Sequence, residues 1–429
     1  MRTIGAMTSH AVDSPYAWSR LVVALLLMTV GSSAMYVVAV VLPSVQAEFG
    51  IARADASLPY TLLMVGFGIG GVFMGRLADR HGIVVPLLIG AGGLGIGFVA
   101  AGMAPNIWTF AIAHGLLLGL VGSSASFAPL VADTSLWFAR RRGVAVAICA
   151  SGNYVAGAIW PPVVQHFVES VGWRQTYIGL GIFSALAMAL LAVFMRGRPP
   201  IAAALASTAK AGAPVPSTRP FGLSMNAAQG LLCIAAVACC VAMAMPQVHI
   251  VAYCGDLGYG AARGAQMLSL MLASGVVSRL VSGAICDRIG GLRTLLLGSV
   301  LQGVALLLFL PFDSMASLFV ISALFGLFQG GIVPAYAIIV REYFPPAEAG
   351  GRVGAVLMFS LLGMALGGWL SGKVFDVAGS YHAAFINGIA WNLVNLSIVL
   401  FLLARTRGIP SSAKNPGEAT GREPTLRSG

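Results

Sequence analysis

The chain has 429 residues, of which 58% are hydrophobic and 9% are charged, and its mean hydropathy is +0.89. About a quarter of the residues of a soluble domain are charged, so this composition excludes a soluble globular protein. It predicts an all-α integral membrane protein, in which long apolar runs alternate with short charged segments.

Twelve runs of about 20 apolar residues follow one another, each long enough for one membrane-spanning helix. The first six predicted spans are residues 21–43, 57–76, 84–104, 107–132, 144–168 and 175–195. The other six are residues 226–251, 265–286, 292–312, 315–340, 352–375 and 383–404. The predicted organisation is a tail, a six-helix bundle, a linker, a second six-helix bundle and a tail, at residues 1–20, 21–196, 197–225, 226–404 and 405–429.

The basic residues predict the orientation in the membrane. With an even number of spans both tails lie on one side, and that side holds all but five of the 25 lysines and arginines. The exceptions are Arg53, Arg174, Arg263 and Lys373 on the other side, and Arg279 inside a span. The positive-inside rule therefore predicts cytoplasmic termini and a multi-pass protein of the cell's inner (plasma) membrane. This orientation accounts for the net charge of +11, so the predicted partner is the lipid bilayer and not a nucleic acid.

The polar side chains show no arrangement typical of catalysis or cofactor binding. The six cysteines fall in or beside predicted spans and lack metal-ligand spacing. No serine, cysteine or histidine arrangement suggests catalysis, and no loop of the nucleotide-binding type is present. We therefore predict a protein that is not an enzyme and has no catalytic residue, metal site or cofactor.

The two predicted bundles repeat each other at a nearly constant spacing. GRLADRHG at 75–82 matches GAICDRIG at 283–290, an offset of 208, and GLVGSSASFAP at 119–129 faces LFQGGIVPAYA at 327–337 at the same offset. ESVGWRQTY at 169–177 faces DVAGSYHAA at 376–384 at an offset of 207. The segment between the bundles is rich in Ala, Pro, Ser and Thr and reads as a flexible linker. Two parallel repeats of this kind predict a carrier with its site at the midplane between the halves.

The repeated loops resemble the G-x-x-x-D-R-x-G signature that follows helix 2 in the major facilitator superfamily. It is formed by Gly75, Asp79, Arg80 and Gly82, and again by Gly283, Asp287, Arg288 and Gly290. WFARRRGVAVAICASG at 137–152, GWRQTY at 172–177 and PQVHIVAYCGDLG at 246–258 are similar to bacterial relatives of the monocarboxylate transporters and of the oxalate:formate antiporter. The resemblance implies the major facilitator fold. It also implies a secondary active transporter, a symporter or an antiporter, that moves a small organic anion, a mono- or dicarboxylate, by alternating access.

Arg279 is the one basic residue placed in the interior of a predicted span, more than three residues from either end. It lies eight residues, or about 12 Å of helix rise, before Asp287, and an arginine at that depth is costly unless it faces water or a partner. The monocarboxylate family holds the substrate carboxylate with an arginine of helix 8, and Arg279 occupies that place. The family's aspartate one turn earlier is replaced here by Gly275. Whether a proton is transported together with the substrate is therefore left open. A network of hydrogen bonds to carbonyls and hydroxyls, or a side chain that reaches the membrane surface, are the alternatives for Arg279.

The other candidates for substrate contact are polar side chains near the middle of predicted spans. These are Tyr36, His114, Asn153, Tyr154, Gln329 and Tyr336. For each of them a hydrogen bond between helices is as good an interpretation as substrate contact, and His114 is also able to titrate near neutral pH.

The paired aspartates predict a gate. Helix N-termini stabilise carboxylates, and helices 5 and 11 begin near Gly143 and Gly351. If the repeats pack as in the superfamily, Asp79 meets the start of helix 11 and Asp287 meets the start of helix 5. Both contacts would then hold the cytoplasmic ends of the halves together while the carrier is open outward.

Three alternatives to a carboxylate carrier follow from the sequence. An exporter of larger amphipathic or drug-like compounds would line an apolar binding pocket with some of the 17 methionines and the aromatic residues. A membrane sensor or receptor is disfavoured because the predicted tails are short, and a channel because nothing resembles a pore loop. A functional monomer with a small-molecule substrate is the prediction.

Overall fold

The computed structural model of the protein describes residues 12–138, 141–197 and 220–407, and this part of the chain contains twelve helices long and apolar enough to cross a membrane. Helices α1 to α6 are Pro15–Phe49, Arg53–His81, Val84–Gly102, Ile107–Trp137, Arg142–Val171 and Trp173–Val193. Helices α7 to α12 are Met225–Asp256, Ala261–Ile289, Gly291–Leu308, Met315–Tyr343, Pro346–Ala378 and Tyr381–Arg407. The predicted all-α architecture with twelve spans is confirmed. Most of the predicted linker and of both predicted tails, namely residues 198–219, 1–11 and 408–429, lie outside the described residues.

The first helix is longer than its apolar run. It begins at Pro15, before the predicted start at residue 21, because the Ser14 side chain accepts a hydrogen bond from the backbone N–H of Ala17 at 3.3 Å. Arg20 does not end the helix, because it forms a buried ion pair with Asp133 of α4 at 3.0 Å. The cap and the ion pair therefore set where α1 begins, and the apolar run alone underestimates the length of this helix.

Three of the helices are interrupted near their middle. Helix α1 breaks at Ser32, and α10 breaks at Gly330 and Gly331. Helix α4 contains a π-helical stretch, Ala113–Gly122, followed by a 3-10 turn, Ser123–Ser126. The irregular parts of α4 and α10 fall at matching positions of the two repeats, and such departures from α-helix commonly mark functional sites and hinges.

The first and second halves meet through a few of their helices. Helix α2 packs against α11, α5 against α8, and the second part of α1 against α7. One end of the bundle, which we call the tail end, carries the first described residues of α1 and the last of α12. The other, the far end, carries the connections α1–α2, α7–α8 and α11–α12.

The two signature loops have the same backbone at the tail end. Gly82 and Gly290 follow α2 and α8 with φ angles of 81° and 83°, and each donates its N–H to the carbonyl four residues earlier at 2.8 Å. Only glycine adopts such a φ without strain. The repeat seen in the sequence is therefore a repeat of helix-ending geometry.

Candidate functional site

Arg279 connects the two halves at the break in α10. Its Nη1 donates a hydrogen bond to the backbone carbonyl of Ala150 on α5 at 2.8 Å, and its Nε lies 3.5 Å from the carbonyl of Gly330 on α10. Its guanidinium lies 4.3 Å from the centre of the Tyr154 ring. In the described residues no carboxylate forms an ion pair with it. A partly exposed cation between the halves, held by carbonyls and an aromatic ring, leaves its charge available to an anion.

Gly275 explains how Tyr154 reaches Arg279. A Cβ added at Gly275 would lie 2.7 Å from two carbons of the Tyr154 ring, which is closer than carbon atoms approach. The ring therefore fills the space that a side chain at 275 would need. The resembling family has an aspartate at the position of Gly275. The space that such a side chain would need is filled here by the Tyr154 ring from the opposite half.

We predict that Gly275→Ala lowers the free energy of unfolding by about 1–3 kcal/mol, the usual cost of overpacking a buried site. The added methyl group displaces the Tyr154 ring, so Tyr154→Leu in the same chain should recover most of the loss. Thermal unfolding of the purified protein in detergent measures both effects. Gly179→Ala on α6 is the control, because a Cβ there meets open space. A Gly275→Ala protein as stable as the native one would contradict the contact.

Tyr36 and Asn153 form a second pair close to Tyr154. The Tyr36 hydroxyl donates to Asn153 Oδ1 at 2.7 Å, which joins α1 to α5. Asn153 Nδ2 faces the sulfur of Met35 at 3.2 Å, and sulfur is a weak acceptor. Both predicted residues therefore lie in the layer next to Tyr154, and the amide N–H group of Asn153 has only a poor partner.

Gln329 is also in this layer, and the structure adds Gln247 of α7 as its partner. Gln247 Nε2 donates to Gln329 Oε1 at 3.0 Å, while the Nε2 of Gln329 is fully buried without a hydrogen-bond partner among the described residues. Gln329 directly precedes Gly330, whose carbonyl faces Arg279. Gln247 was not among the predicted site residues, although a glutamine after Pro246 in a long apolar run was a visible signal.

His114 and Tyr336 lie elsewhere. His114 Nδ1 donates to the carbonyl of Phe110 at 2.8 Å, and its Nε2 is 3.2 Å from the Tyr177 hydroxyl, between α4 and α6. The Tyr336 hydroxyl donates to Asn395 Oδ1 of α12 at 3.0 Å. Both side chains are fully buried in contacts inside one half, so the helix–helix interpretation fits them better than substrate contact.

The tail ends of the halves are apart. Asp79 and Asp287 are exposed and form no hydrogen bond or ion pair with other described residues. A Cβ added at Gly75, Gly283 or Gly351 would meet open space. The contacts predicted for the gate residues are not formed among the described residues, and their role stays a prediction. Arg80 and Arg288 are exposed beside the aspartates, in the last turn of their helices.

The far ends of the halves are locked together by Asp376 of α11. Its two carboxylate oxygens accept the backbone N–H groups of Arg53 and Ala54, the first residues of α2, at 2.9 and 2.8 Å. The Arg53 side chain donates to the Tyr381 hydroxyl at 2.7 Å and forms an ion pair with Asp256 at 3.2 Å. A carboxylate from the second half thus caps a helix N-terminus of the first half.

His249 extends this lock into α7. Its two ring nitrogens lie 3.2 Å from the Tyr381 hydroxyl and 2.8 Å from the carbonyl of Gly368 on α11. From the sequence, His249 near the outer end of its span could serve an outer gate or cap Asp256, and the other residues of the lock had no predicted role in joining the halves. The acidic residues at the ends of predicted spans were the available signal, but the sequence does not show which helix end each one reaches.

Twelve apolar helices in two six-helix repeats, with a cation between halves that are apart at one end and locked at the other, define a membrane carrier. The chain belongs to the Major Facilitator Superfamily, whose family model matches residues 22–315 and 280–427. It is a multi-pass membrane transporter and not an enzyme.

Known proteins resemble the chain over most of its length. Monocarboxylate transporter 13 of Rattus norvegicus is 26% identical over 349 residues, 81% of this chain and 78% of that protein. The agnestins efflux protein of Paecilomyces divaricatus is 24% identical over 335 residues, 78% of this chain and 74% of that protein. A crystal structure of a bacterial homologue of the human lysosomal transporter Spinster, inward-facing and occupied, has a TM-score of 0.68 at 14% identity, covering 92% of this chain and 98% of that one. That similarity shows the fold alone.

Proposed function

We propose that the protein is a secondary active transporter of a small organic anion, a mono- or dicarboxylate. The observation that carries the proposal is Arg279, a cation at the contact between the halves with no carboxylate partner among the described residues. A guanidinium binds a carboxylate through two parallel charge-assisted hydrogen bonds. The rodent relative named a monocarboxylate transporter supports the same substrate class.

The arrangement of the two ends supports alternating access. The far end is closed by the contacts of Asp376 and Arg53, while the helix faces around Gly75 and Gly283 at the tail end meet open space. With the tail end placed in the cytoplasm by the positive-inside rule, this conformation is open inward. The paired loops at Asp79 and Asp287 would close the tail end in the outward-open conformation.

Proton coupling through an aspartate–arginine pair is not part of the proposal. The Tyr154 ring occupies the space at Gly275, so Arg279 has a neighbour that carries no charge at neutral pH. The driving force in the proposal is then exchange for a second anion. The protein acts in the plasma membrane as a monomer with both termini in the cytoplasm.

Uptake of labelled carboxylates by proteoliposomes tests the proposed function. Vesicles loaded with the same unlabelled acid should accumulate label faster than empty vesicles, and a pH gradient should change the rate little. Vesicles without the protein are the control. If none of a panel of mono- and dicarboxylates enters faster than in control vesicles, the carboxylate assignment is wrong.

Export of larger amphipathic compounds is the second candidate. The relative named an efflux protein and the aromatic and sulfur side chains around Arg279, namely Tyr36, Met35 and Tyr154, favour it. The same vesicles discriminate the two, since an exporter would move an amphipathic dye and show no Arg279-dependent uptake of small acids.

A further inference from the structure

We infer that the substrate carries, beside its carboxylate, a second oxygen that accepts hydrogen bonds, and that Gln329 binds this oxygen. The inference rests on the proposed function and goes further, because it selects among the carboxylates. A 2-oxo acid or a short dicarboxylate has this chemistry, and alanine, with an ammonium group in place of the second oxygen, does not.

Three acceptors in the layer around Arg279 already accept one hydrogen bond each. Asn153 Oδ1 accepts from the Tyr36 hydroxyl at 2.7 Å, and Gln329 Oε1 accepts from Gln247 at 3.0 Å. The backbone carbonyl of Ala150 accepts from Arg279 at 2.8 Å. A donor on a ligand would have to share one of these oxygens, through its second lone pair, with the donor that is already bound.

The groups left without good partners are donors. Gln329 Nε2 is fully buried and has no partner among the described residues. Asn153 Nδ2 faces only the Met35 sulfur among the described residues, and Arg279 forms no ion pair with a carboxylate of the described part of the chain. A buried donor without an acceptor is costly, and a ligand oxygen removes that cost.

The placement of the donors fits one small anion. Gln329 and Gly330 are consecutive residues at the break in α10, and the Gly330 carbonyl lies 3.5 Å from Arg279 Nε. The guanidinium and the free amide therefore border the same break. A carboxylate on Arg279 with a neighbouring carbonyl or carboxylate oxygen toward Gln329 satisfies both, whereas an ammonium group at that place would face donors only.

Titration calorimetry with four three-carbon acids tests the inference on the purified native protein. Propionate lacks a second polar group, pyruvate has a carbonyl acceptor, lactate has a hydroxyl, and alanine has an ammonium group. We expect pyruvate to bind about tenfold more tightly than propionate, lactate to fall between them because its hydroxyl is also a donor, and alanine not to bind. Equal affinities for pyruvate and propionate, or binding of alanine, would overturn the inference.

Gln329→Met removes the amide at nearly constant size and should make the affinities for pyruvate and propionate equal. The matched control is Gln302→Met on α9, whose amide donates to the backbone carbonyl of Cys239 at 3.3 Å, outside this layer. It should keep the tenfold difference. If the difference survives in Gln329→Met, or disappears also in Gln302→Met, the role of Gln329 is refuted.

The same titrations separate this inference from the proposed function. If the acids bind and Arg279→Ala abolishes their binding, but pyruvate has no advantage over propionate, only the inference fails. If no acid binds in an Arg279-dependent way, the proposed function fails and the inference falls with it.

Discussion

Replacing Arg279 by alanine is expected to reduce carboxylate transport by about a hundredfold or more. Removing one partner of a buried, hydrogen-bonded charge pair costs about 2–5 kcal/mol, which corresponds to a factor of about 30 to several thousand. The loss should appear in substrate affinity as well as rate, because the guanidinium is the cation that faces an anion at this level of the bundle. Initial rates of uptake into proteoliposomes at matched protein density give the number.

Lysine at the same position tests the geometry as distinct from the charge. It keeps the positive charge but not the planar fork that holds Ala150 and stacks on Tyr154. We expect Arg279→Lys to recover less than a tenth of native transport. Arg263→Lys is the matched control on the same helix, because among the described residues Arg263 donates only to Gln266, near the start of α8, at 3.0 Å. Native rates in Arg279→Lys would rule out recognition by the guanidinium fork.

The features of the fold that depend on local composition could be predicted from the sequence. Apolar length gave twelve spans, and the glycines at 82 and 290 marked the ends of α2 and α8, where a positive φ is required. The match between residues 119–129 and 327–337 also indicated corresponding structure, and both segments contain a helix interruption. Each of these features is determined by residues that are close together in the sequence, so a single sequence is enough to predict it.

The direction in which a polar side chain points could not be predicted. Tyr154 and Tyr336 are both tyrosines in the middle of apolar runs, yet one lies against Arg279 and the other donates to Asn395 inside the second half. A membrane helix is apolar on all sides, so its pattern does not show which face meets the partner half. The choice depends on helix rotation, which is set by contacts such as the one between Gly275 and Tyr154.

Contacts between the halves were beyond prediction for a related reason. Asp376 and Arg53 are separated by 323 positions along the chain, and nothing near either residue identifies the other. The sequence did show an acid near the end of α11 and a helix start at α2. Their pairing follows only from the packing of α2 against α11.

Asp376→Ala is expected to shift the carrier away from the tail-open conformation. The carboxylate caps the N-terminus of α2 through the N–H groups of Arg53 and Ala54, and the loss of such a cap costs about 0.5–2 kcal/mol. The ratio of tail-open to far-open molecules should therefore fall by a factor of about 2 to 30. Spin labels at Arg76 and Arg293, exposed residues of different halves at the tail end, should report a growing population of shorter distances in pulsed electron resonance.

Glu169→Ala is the matched control, because Glu169 is the repeat counterpart of Asp376 and, in the described part of the chain, accepts only from Gln165 of its own helix, at 2.9 Å. Its distance distribution should match that of the native protein. An unchanged distribution in Asp376→Ala, or an equal shift in Glu169→Ala, would show that the far-end lock does not set the equilibrium.

Asp79 should act in the opposite direction. Helices α2 and α11 each carry an aspartate near their own C-terminus, and in the proposed cycle each aspartate caps the N-terminus of the other helix, one at a time. Asp79→Ala then removes the contact that favours the far-open conformation and lengthens the distance between the labels. In the chain with both substitutions the two losses oppose each other, so its distribution should return toward that of the native protein. If the double variant keeps the full shift in label distance seen in Asp376→Ala, Asp79 does not contribute to the equilibrium between the two conformations.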